Sequence, residues 1–304
     1  MKILCLGDLH LRYRRPEYRI DDFFVTQFNK LQWVFDLAVR EKCKVVIMPG
    51  DVFDSFSASY LVVSTFLFHL WRYSKQFKTL AVYGQHDMRY HSTRIDNTPL
   101  HTVESSGLLK VLDHNPYQLF DSVFYGASWG CEIPQVKTEG TNILVTHRMV
   151  IKSDKLWEGQ SDFEYSRRLL RTTGYDLIVS GDNHNFFVDE YKGRFLINCG
   201  SLCRMKTDQA EHKPSVVVYD TKAKDIKVFE IPVEPAEKVF DLATSEKKKE
   251  KEKMIEVFVD SLSESKELGL DFMSNLWKFV RDNNVSEEVV KVIEEVLKSE
   301  EDIR

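Results

Sequence analysis

Residues 1–11 read Met-Lys-Ile-Leu-Cys-Leu-Gly-Asp-Leu-His-Leu. The apolar run Ile3–Leu6 ends at Gly7, and a carboxylate (Asp8) and an imidazole (His10) follow at once. A short, unbroken apolar run closed by a turn signal is the pattern of a strand covered on both faces. The first strand of this chain therefore delivers two potential metal ligands from its carboxyl end.

The same arrangement recurs down the chain. Val45–Met48 leads to Pro49-Gly50-Asp51, and Thr79–Tyr83 leads to Gly84-Gln85-His86-Asp87. Ile143–Thr146 leads to His147, and Leu177–Ser180 leads to Gly181-Asp182-Asn183-His184. Ligands of open α/β sheets bind beyond the carboxyl ends of the strands, so these five loops converge on one crevice. Between the first two strands, Leu31, Val34, Phe35, Ala38 and Val39 mark one apolar helical face. Residues 57–77 form a second helical stretch rich in Leu, Val, Phe and Trp. Farther on, Phe195–Asn198 reads as a strand, and Ser215–Tyr219 with Ile226–Ile231 read as a hairpin. The expected fold is α/β: a two-sheet sandwich with sheets inside and helices outside.

Composition bounds the rest. The chain has 304 residues, 43% of them hydrophobic and 29% charged, in the range of ordinary globular proteins. No apolar run is long enough to span a bilayer, and Asp8 comes too early for a signal-peptide core, so the expected location is cytoplasmic. The cysteines, Cys5, Cys43, Cys131, Cys199 and Cys203, contain no Cys-x-x-Cys pair, which argues against a disulfide framework and a thiolate zinc site. A net charge of −5 does not mark a globally basic nucleic-acid binder, so contact with DNA must come from a local patch.

The ordered set Asp8-x-His10, Gly50-Asp51, Gly84-Gln85-His86-Asp87, His147 and Gly181-Asp182-Asn183-His184 resembles the calcineurin-like metallophosphoesterase superfamily. Within it, the Gly50-Asp51-Val-Phe-Asp54 run and Asn198-Cys-Gly-Ser-Leu202 look like the SbcD/Mre type, the nuclease subunit of double-strand-break repair complexes. The resemblance covers about residues 1–230 and implies a metallophosphoesterase-type sandwich with a small helical tail. It further implies that Asp8, His10 and His184 hold one metal, that Asp51 bridges, and that Gln85, His147 and Asp182 complete a second. His86 is then the catalytic histidine. Two adjacent divalent ions polarise a phosphate and activate water at neutral pH. Oxygen and imidazole ligands without thiolate suit manganese, with magnesium as the weaker candidate. Two positions depart from the family: Gln85 stands in place of an asparagine and Asp182 in place of a histidine.

The segment Arg12-Tyr13-Arg14-Arg15-Pro16-Glu17-Tyr18-Arg19 interleaves cations with aromatic rings directly after the first motif. Arg12, Tyr13, Arg14, Arg15, Tyr18 and Arg19 are the expected DNA contacts, through phosphate pairing and base stacking. Arg89, Arg94, Arg148 and Lys152 follow other motifs and extend the same groove. The expected division is a nuclease domain over 1–235 and a charged linker with a helical tail over 236–304, where Ser245–Lys253 is either a solvated linker or the first turns of a helix. In the tail, Phe272, Leu276, Trp277, Phe279 and Val280 precede a stripe of Val289, Val292, Ile293, Val296 and Leu297, with Ser286 as a candidate N-cap. The resemblance implies a homodimer and an SbcC-type coiled-coil ATPase that engages this tail. The compact length suggests a bacterial or phage version. The competing readings are a phosphodiesterase or phosphatase on small nucleotides or phosphoproteins, and a catalytically weak scaffold.

Overall fold

The computed structural model describes residues 1–92, 95–153, 155, 159–264, 272–282, 285 and 289–291. Two units divide the chain, Met1–Phe240 and Asp241–Arg304.

The first unit holds fourteen strands and five helices among the described residues. The strands are β1 (Lys2–Cys5), β2 (Val45–Met48), β3 (Lys78–Ala81), β4 (Lys110–Val111), β5 (Tyr117–Leu119), β6 (Ser122–Ala127), β7 (Thr141–His147), β8 (Val150–Ile151), β9 (Glu164–Tyr165), β10 (Leu177–Gly181), β11 (Phe187–Tyr191), β12 (Arg194–Asn198), β13 (Ser215–Asp220) and β14 (Asp225–Glu230). The helices are α1 (Phe23–Arg40), α2 (Tyr60–Tyr73), α3 (Pro99–Ser105), α4 (Ser166–Thr172) and α5 (Ala236–Val239). One six-stranded sheet runs β14-β13-β1-β2-β3-β4 and a second runs β11-β12-β10-β7-β6-β5. In the first sheet β1 to β4 are parallel and the β13–β14 hairpin adds antiparallel to β1. In the second, β6, β7, β10 and β12 are parallel, with β5 and β11 antiparallel at the edges.

Alternation along each strand explains the unbroken apolar runs. Ile3, Cys5, Val45 and Ile47 join Phe124, Ile143, Val145, Leu177 and Val179 in one buried cluster that mates the two sheets. Leu4, Leu6, Val46 and Met48 point the other way, into a cluster with Leu31, Val34, Phe35, Phe66 and Leu70 of α1 and α2. Leu144 and Ile178 likewise pack with Leu169 and Leu170 of α4 on the far side of the second sheet. Each central strand thus has two dry faces, the condition under which strands need no polar face. The helices start where side-chain oxygens satisfy free N–H groups: Asp22 accepts from Val25 N at 3.1 Å and Ser59 from Val62 N.

The first unit ends later than residue 235, because the last residues before Phe240 are built into it. Ile20 N donates to the Val239 carbonyl at 2.9 Å, and both Val239 and Phe240 are buried. The second unit contains α6 (Leu242–Glu264) and α7 (Phe272–Asp282). The lysine–glutamate run of 245–253 therefore lies within helix, the second of the two expected forms, and Asp241 caps it by accepting from Thr244 N at 3.1 Å. Phe272, Leu276, Trp277, Phe279 and Val280 all fall on α7. The expected cap at Ser286 and the stripe positions Val292, Ile293, Val296 and Leu297 lie outside the described residues. No helix among the described residues is long and apolar enough to cross a membrane.

One close approach sets the position of the first ligand loop. A Cβ added to Gly7 would stand 1.7 Å from the Gly200 carbonyl oxygen, which itself accepts from Asp8 N at 2.9 Å. Gly7→Ala therefore forces two backbones apart. The expected result is a loss of about 3 kcal/mol or more, the upper end of overpacking costs, read as a lowered denaturant midpoint.

Candidate metal centre

Parallel registers bring the loops after β1, β2 and β3 to one edge of the first sheet and those after β7 and β10 to one edge of the second, and side chains from both sets meet in one place. Among the described residues, three overlapping groups could hold a cation: Asp8 with His10 and His184, His10 with Asp51 and His86, and Asp8 with Asp51 and His147. Each group brings its ligand atoms within 4.8 Å of one another. Because Asp8, His10 and Asp51 are shared, the groups describe neighbouring positions in one polar centre.

The backbone is bent to produce this convergence. His10, Asp51 and Asp182 all have positive φ, at 47°, 45° and 78°. Non-glycine residues rarely adopt that region, and such outliers concentrate at functional sites. The glycines beside them leave room for the ligands themselves: a Cβ on Gly84 would stand 2.0 Å from Asp51 Oδ1.

The polar atoms in the centre fit a cation better than they fit one another. His10 Nε2 and His184 Nε2 face each other at 3.1 Å. His184 Nε2 is 3.4 Å from Asp8 Oδ2, and His147 Nε2 is 3.4 Å from Asp51 Oδ2. The second contact is long for a hydrogen bond, and His147 Nε2 has no other partner. Asp8 Oδ1 and Gln85 Oε1 are buried acceptors with no donor. Buried polar atoms are almost always paired in native proteins, so lone pairs left converging on one space match a divalent ion.

Electrostatics agree for His10 and His184, and at His147 they put a proton where a cation would stand. Burial raises the Asp8 carboxyl well above its usual range, with Asp51 adding to the shift and His147 opposing it. Burial alone would also raise Asp51, but the nearby His147 and His10 rings hold it below its usual range. Burial lowers His10 to about 3 and lowers His184, so both rings are neutral and keep lone pairs for coordination. Burial opposes protonation of His147 as well, but the field of Asp51 and Asp8 overrides it and raises the ring to about 10.

The expected ligands do not all stand alike. Asp8, His10, Asp51, His147 and His184 enter the cation-holding groups, and so does His86, which was expected to act on the phosphate and not as a ligand. Asp182 enters none of them; its Oδ1 accepts from Gln85 Nε2 at 3.1 Å, while its backbone N–H donates to Asp8 Oδ2 at 2.9 Å. The two family departures thus lie against each other, at the edge of the centre. His86 is more accessible than its neighbours: its Nδ1 is 3.0 Å from the Asp54 carbonyl and its Nε2 is 3.9 Å from Asp51 Oδ2.

The expected DNA contacts separate in the same way. Tyr13, Arg14 and Arg15 are exposed, whereas Arg12 is half-buried and pairs with Asp54 Oδ1 at 3.0 Å. Tyr18 is half-buried. Arg19 is a correction to the expected set. Its side chain is only 2% exposed, its Nε and Nη2 donate to Asp21, its Nη1 donates to the Arg204 carbonyl, and its guanidinium lies over Phe23 and Phe240. A guanidinium so fully used has nothing left for a phosphate. Arg94 lies outside the described residues.

Two supports escaped the sequence reading. His147 Nδ1 is fixed by the Pro49 carbonyl at 2.8 Å, which aims Nε2 into the centre. Asp87 is fully buried and accepts from Val52 N, Phe53 N and Gly84 N at 3.2, 2.9 and 3.1 Å. It ties the loop after β2 to the loop after β3. A carboxylate directly after His86 was visible in the sequence, but nothing there showed that it turns inward.

Residues 1–224 match the calcineurin-like phosphoesterase superfamily domain. The chain belongs to that superfamily. Its members are metal-dependent phosphoesterases, and the sandwich of two mixed sheets with outer helices is their fold. No curated protein matches the chain. Among solved structures, a novel archaeal phosphodiesterase is 17% identical with a TM-score of 0.42, over 76% of this chain and 99% of that one. A putative 5′-nucleotidase from Staphylococcus aureus in complex with alpha-ketoglutarate is 14% identical with a TM-score of 0.43, over 77% of this chain and 54% of that one.

Removing the Asp87 carboxylate strands three backbone donors. At ~1–3 kcal/mol for each buried group left unsatisfied, Asp87→Ala is expected to destabilise the fold by several kcal/mol and to weaken binding of divalent metal together with it. Thermal melting with and without added metal checks both.

Proposed function

We propose that this chain is a divalent-metal-dependent DNA nuclease, the catalytic subunit of a repair or recombination complex. The observation that carries this reading is the exposed Tyr13-Arg14-Arg15 tip, which begins two residues beyond the His10–Leu11 end of the first ligand loop. A small nucleotide or a phosphoamino acid does not need a cationic, aromatic strip outside the centre, whereas a polynucleotide backbone does.

In this reading Asp8, His10 and His184 hold one metal ion, Asp51 is shared, and His147, Gln85 and Asp182 hold the second, with manganese favoured by the oxygen and imidazole donors. The metals would supply charge neutralisation at the phosphate and a more acidic water. The protein supplies position. His147 is oriented by Pro49, and the loops of Asp51 and His86 are locked together by Asp87 and by the 2.9 Å bond from His86 N to Asp51 Oδ1. With its Nδ1 donating to the Asp54 carbonyl, His86 keeps Nε2 to hold a proton beside the phosphate and pass it to the leaving oxygen. The second unit, with the apolar side chains of α7, serves as the docking element for an SbcC-type ATPase, and two copies of the chain pair as a homodimer.

Cleavage of end-labelled duplex, single-stranded and hairpin DNA with manganese tests the reading. Wild-type protein is expected to cut at least one of them. His86→Asn is expected to bind metal normally and melt normally while losing ~100-fold or more in rate. Hydrolysis of simple phosphodiesters with no cleavage of any DNA would overturn the nuclease assignment.

Asp182 generates a separate expectation. As a ligand, its loss removes about one metal per chain, while the group of Asp8, His10 and His184 persists. Metal content of Asp182→Ala after desalting should therefore fall from about two ions towards one. Two ions retained at slightly weaker affinity would make Asp182 an orienting acid for Gln85 and would leave the second ion to His147 and Asp51.

A further inference from the structure

A small cavity of about 200 Å3 shares His147 and Asp182 with the polar centre. Trp129 and Phe163 are its aromatic walls, and Arg148, Asp162 and Glu164 line it with polar groups. His147 and Asp182 belong to the proposed metal chemistry; Trp129, Arg148, Asp162, Phe163 and Glu164 have no part in it.

The cavity is built from two loops that one side chain clamps together. Trp129 follows β6 and is fixed by its N–H donating to the Tyr83 carbonyl at 2.9 Å. Phe163 precedes β9, where Glu164 N donates to the Met149 carbonyl at 2.9 Å, and its ring meets Tyr165 edge-on at 5.2 Å. Arg148 bridges them. Its Nη1 donates to Glu164 Oε1 and its Nη2 to the Cys131 carbonyl, so the guanidinium joins the loop carrying Trp129 to the loop carrying Phe163. The pocket is therefore shaped before any ligand arrives.

Size and charge select the occupant. Pockets for drug-sized ligands run to ~300–1,000 Å3, so this one suits a single planar ring system. Arg148 is already paired with Glu164, Asp182 is turned to Gln85 and the metal centre, and the Lys155 ammonium lies over the Phe163 ring at 5.7 Å, so Asp162 is the lining carboxylate without those roles. Arg148 is thus committed and offers little to a second phosphate, while Asp162 can accept from an uncharged ring whose edge carries N–H donors. Carboxylates accept from the exocyclic amino groups of bases, and aromatic side chains bind their faces.

We propose that this cavity holds the base of the nucleotide whose phosphate lies at the metal centre. Trp129 and Phe163 are thus specificity-determining residues, and Arg148 is a positioning residue. The inference rests on the nucleotide substrate of the proposed function, but not on the length of the polynucleotide.

Calorimetric titration of the manganese-loaded full chain tests it. The His86→Asn background, once its metal content is shown to equal that of the wild type, is used so that turnover does not intrude. Deoxyadenosine 5′-monophosphate should bind about 10-fold or more tightly than deoxyribose 5-phosphate, within the range expected for one base on aromatic side chains. Trp129→Ala and Phe163→Ala should each bring that ratio towards one. Equal affinity for the two probes in the parent protein overturns the proposal, as does an unchanged ratio in the variants. Should Trp129→Ala fail to fold, Phe163→Ala decides alone, since its ring lies outside the main core clusters. A clear base preference in a protein that cuts no DNA would overturn the nuclease reading and keep the pocket. Cleavage of DNA without any base preference would do the reverse.

Discussion

Asp8 and Asp51 stand at the ends of the adjacent parallel strands β1 and β2, each only 1% exposed. Two carboxylates kept from water so close together are costly unless positive charge comes to them. The surrounding structure is arranged around that demand. His147 is drawn into the protonated state between them, His10 and His184 face them with neutral rings, and backbone N–H groups from His86 and Asp182 donate to them. A divalent cation satisfies the same demand more completely than an imidazolium does, because it also takes up the lone pairs of the histidines.

The fold follows from the same constraint. Carboxylates can be brought this deep only if rigid strands deliver them in parallel and tight turns bring them back. This is why the outlying backbone angles fall at His10, Asp51 and Asp182, and why Gly7 and Gly84 leave no space for a side chain. Asp87 does the remaining work by satisfying three donors that the sharp turns after β2 and β3 leave without strand partners. The base pocket sits against the same centre but is braced independently, through Arg148.

Much of this was legible in the residues alone. The runs at Ile3–Leu6, Val45–Met48 and Leu177–Ser180 announced doubly covered strands because they lack a polar face, and a ligand after each run placed the centre at one sheet edge. What could not be read was direction. Arg12, Tyr13, Arg14, Arg15 and Arg19 look alike in a string, yet Arg19 turns inward to Asp21 and the Arg204 carbonyl while Tyr13, Arg14 and Arg15 remain outside. Asp87 follows His86 in sequence and faces the opposite way. Arg148, grouped with the groove cations by its place after His147, is already committed to Glu164. In each case the deciding partner is distant in the chain or belongs to a loop whose path no periodicity encodes.

The pairing of β1 has a consequence for how the protein comes into being. That strand lies between β2 and β13, with Lys2 opposite Asp220 and Cys5 opposite Val217. Asp8 N–H waits for the Gly200 carbonyl, and Arg19 waits for Phe240. A chain emerging from the ribosome has therefore made both buried carboxylates long before it has the segments that fix them. Contacts so distant in sequence slow folding, because loop closure precedes their reward, and translation adds only ~5–20 residues per second. For that interval the nascent chain carries the acids and histidines of the centre in water, free of the burial that later makes them demand a cation. Its capacity to concentrate metal is thus acquired only once β13 and β14, the last strands of the first sheet, have been made.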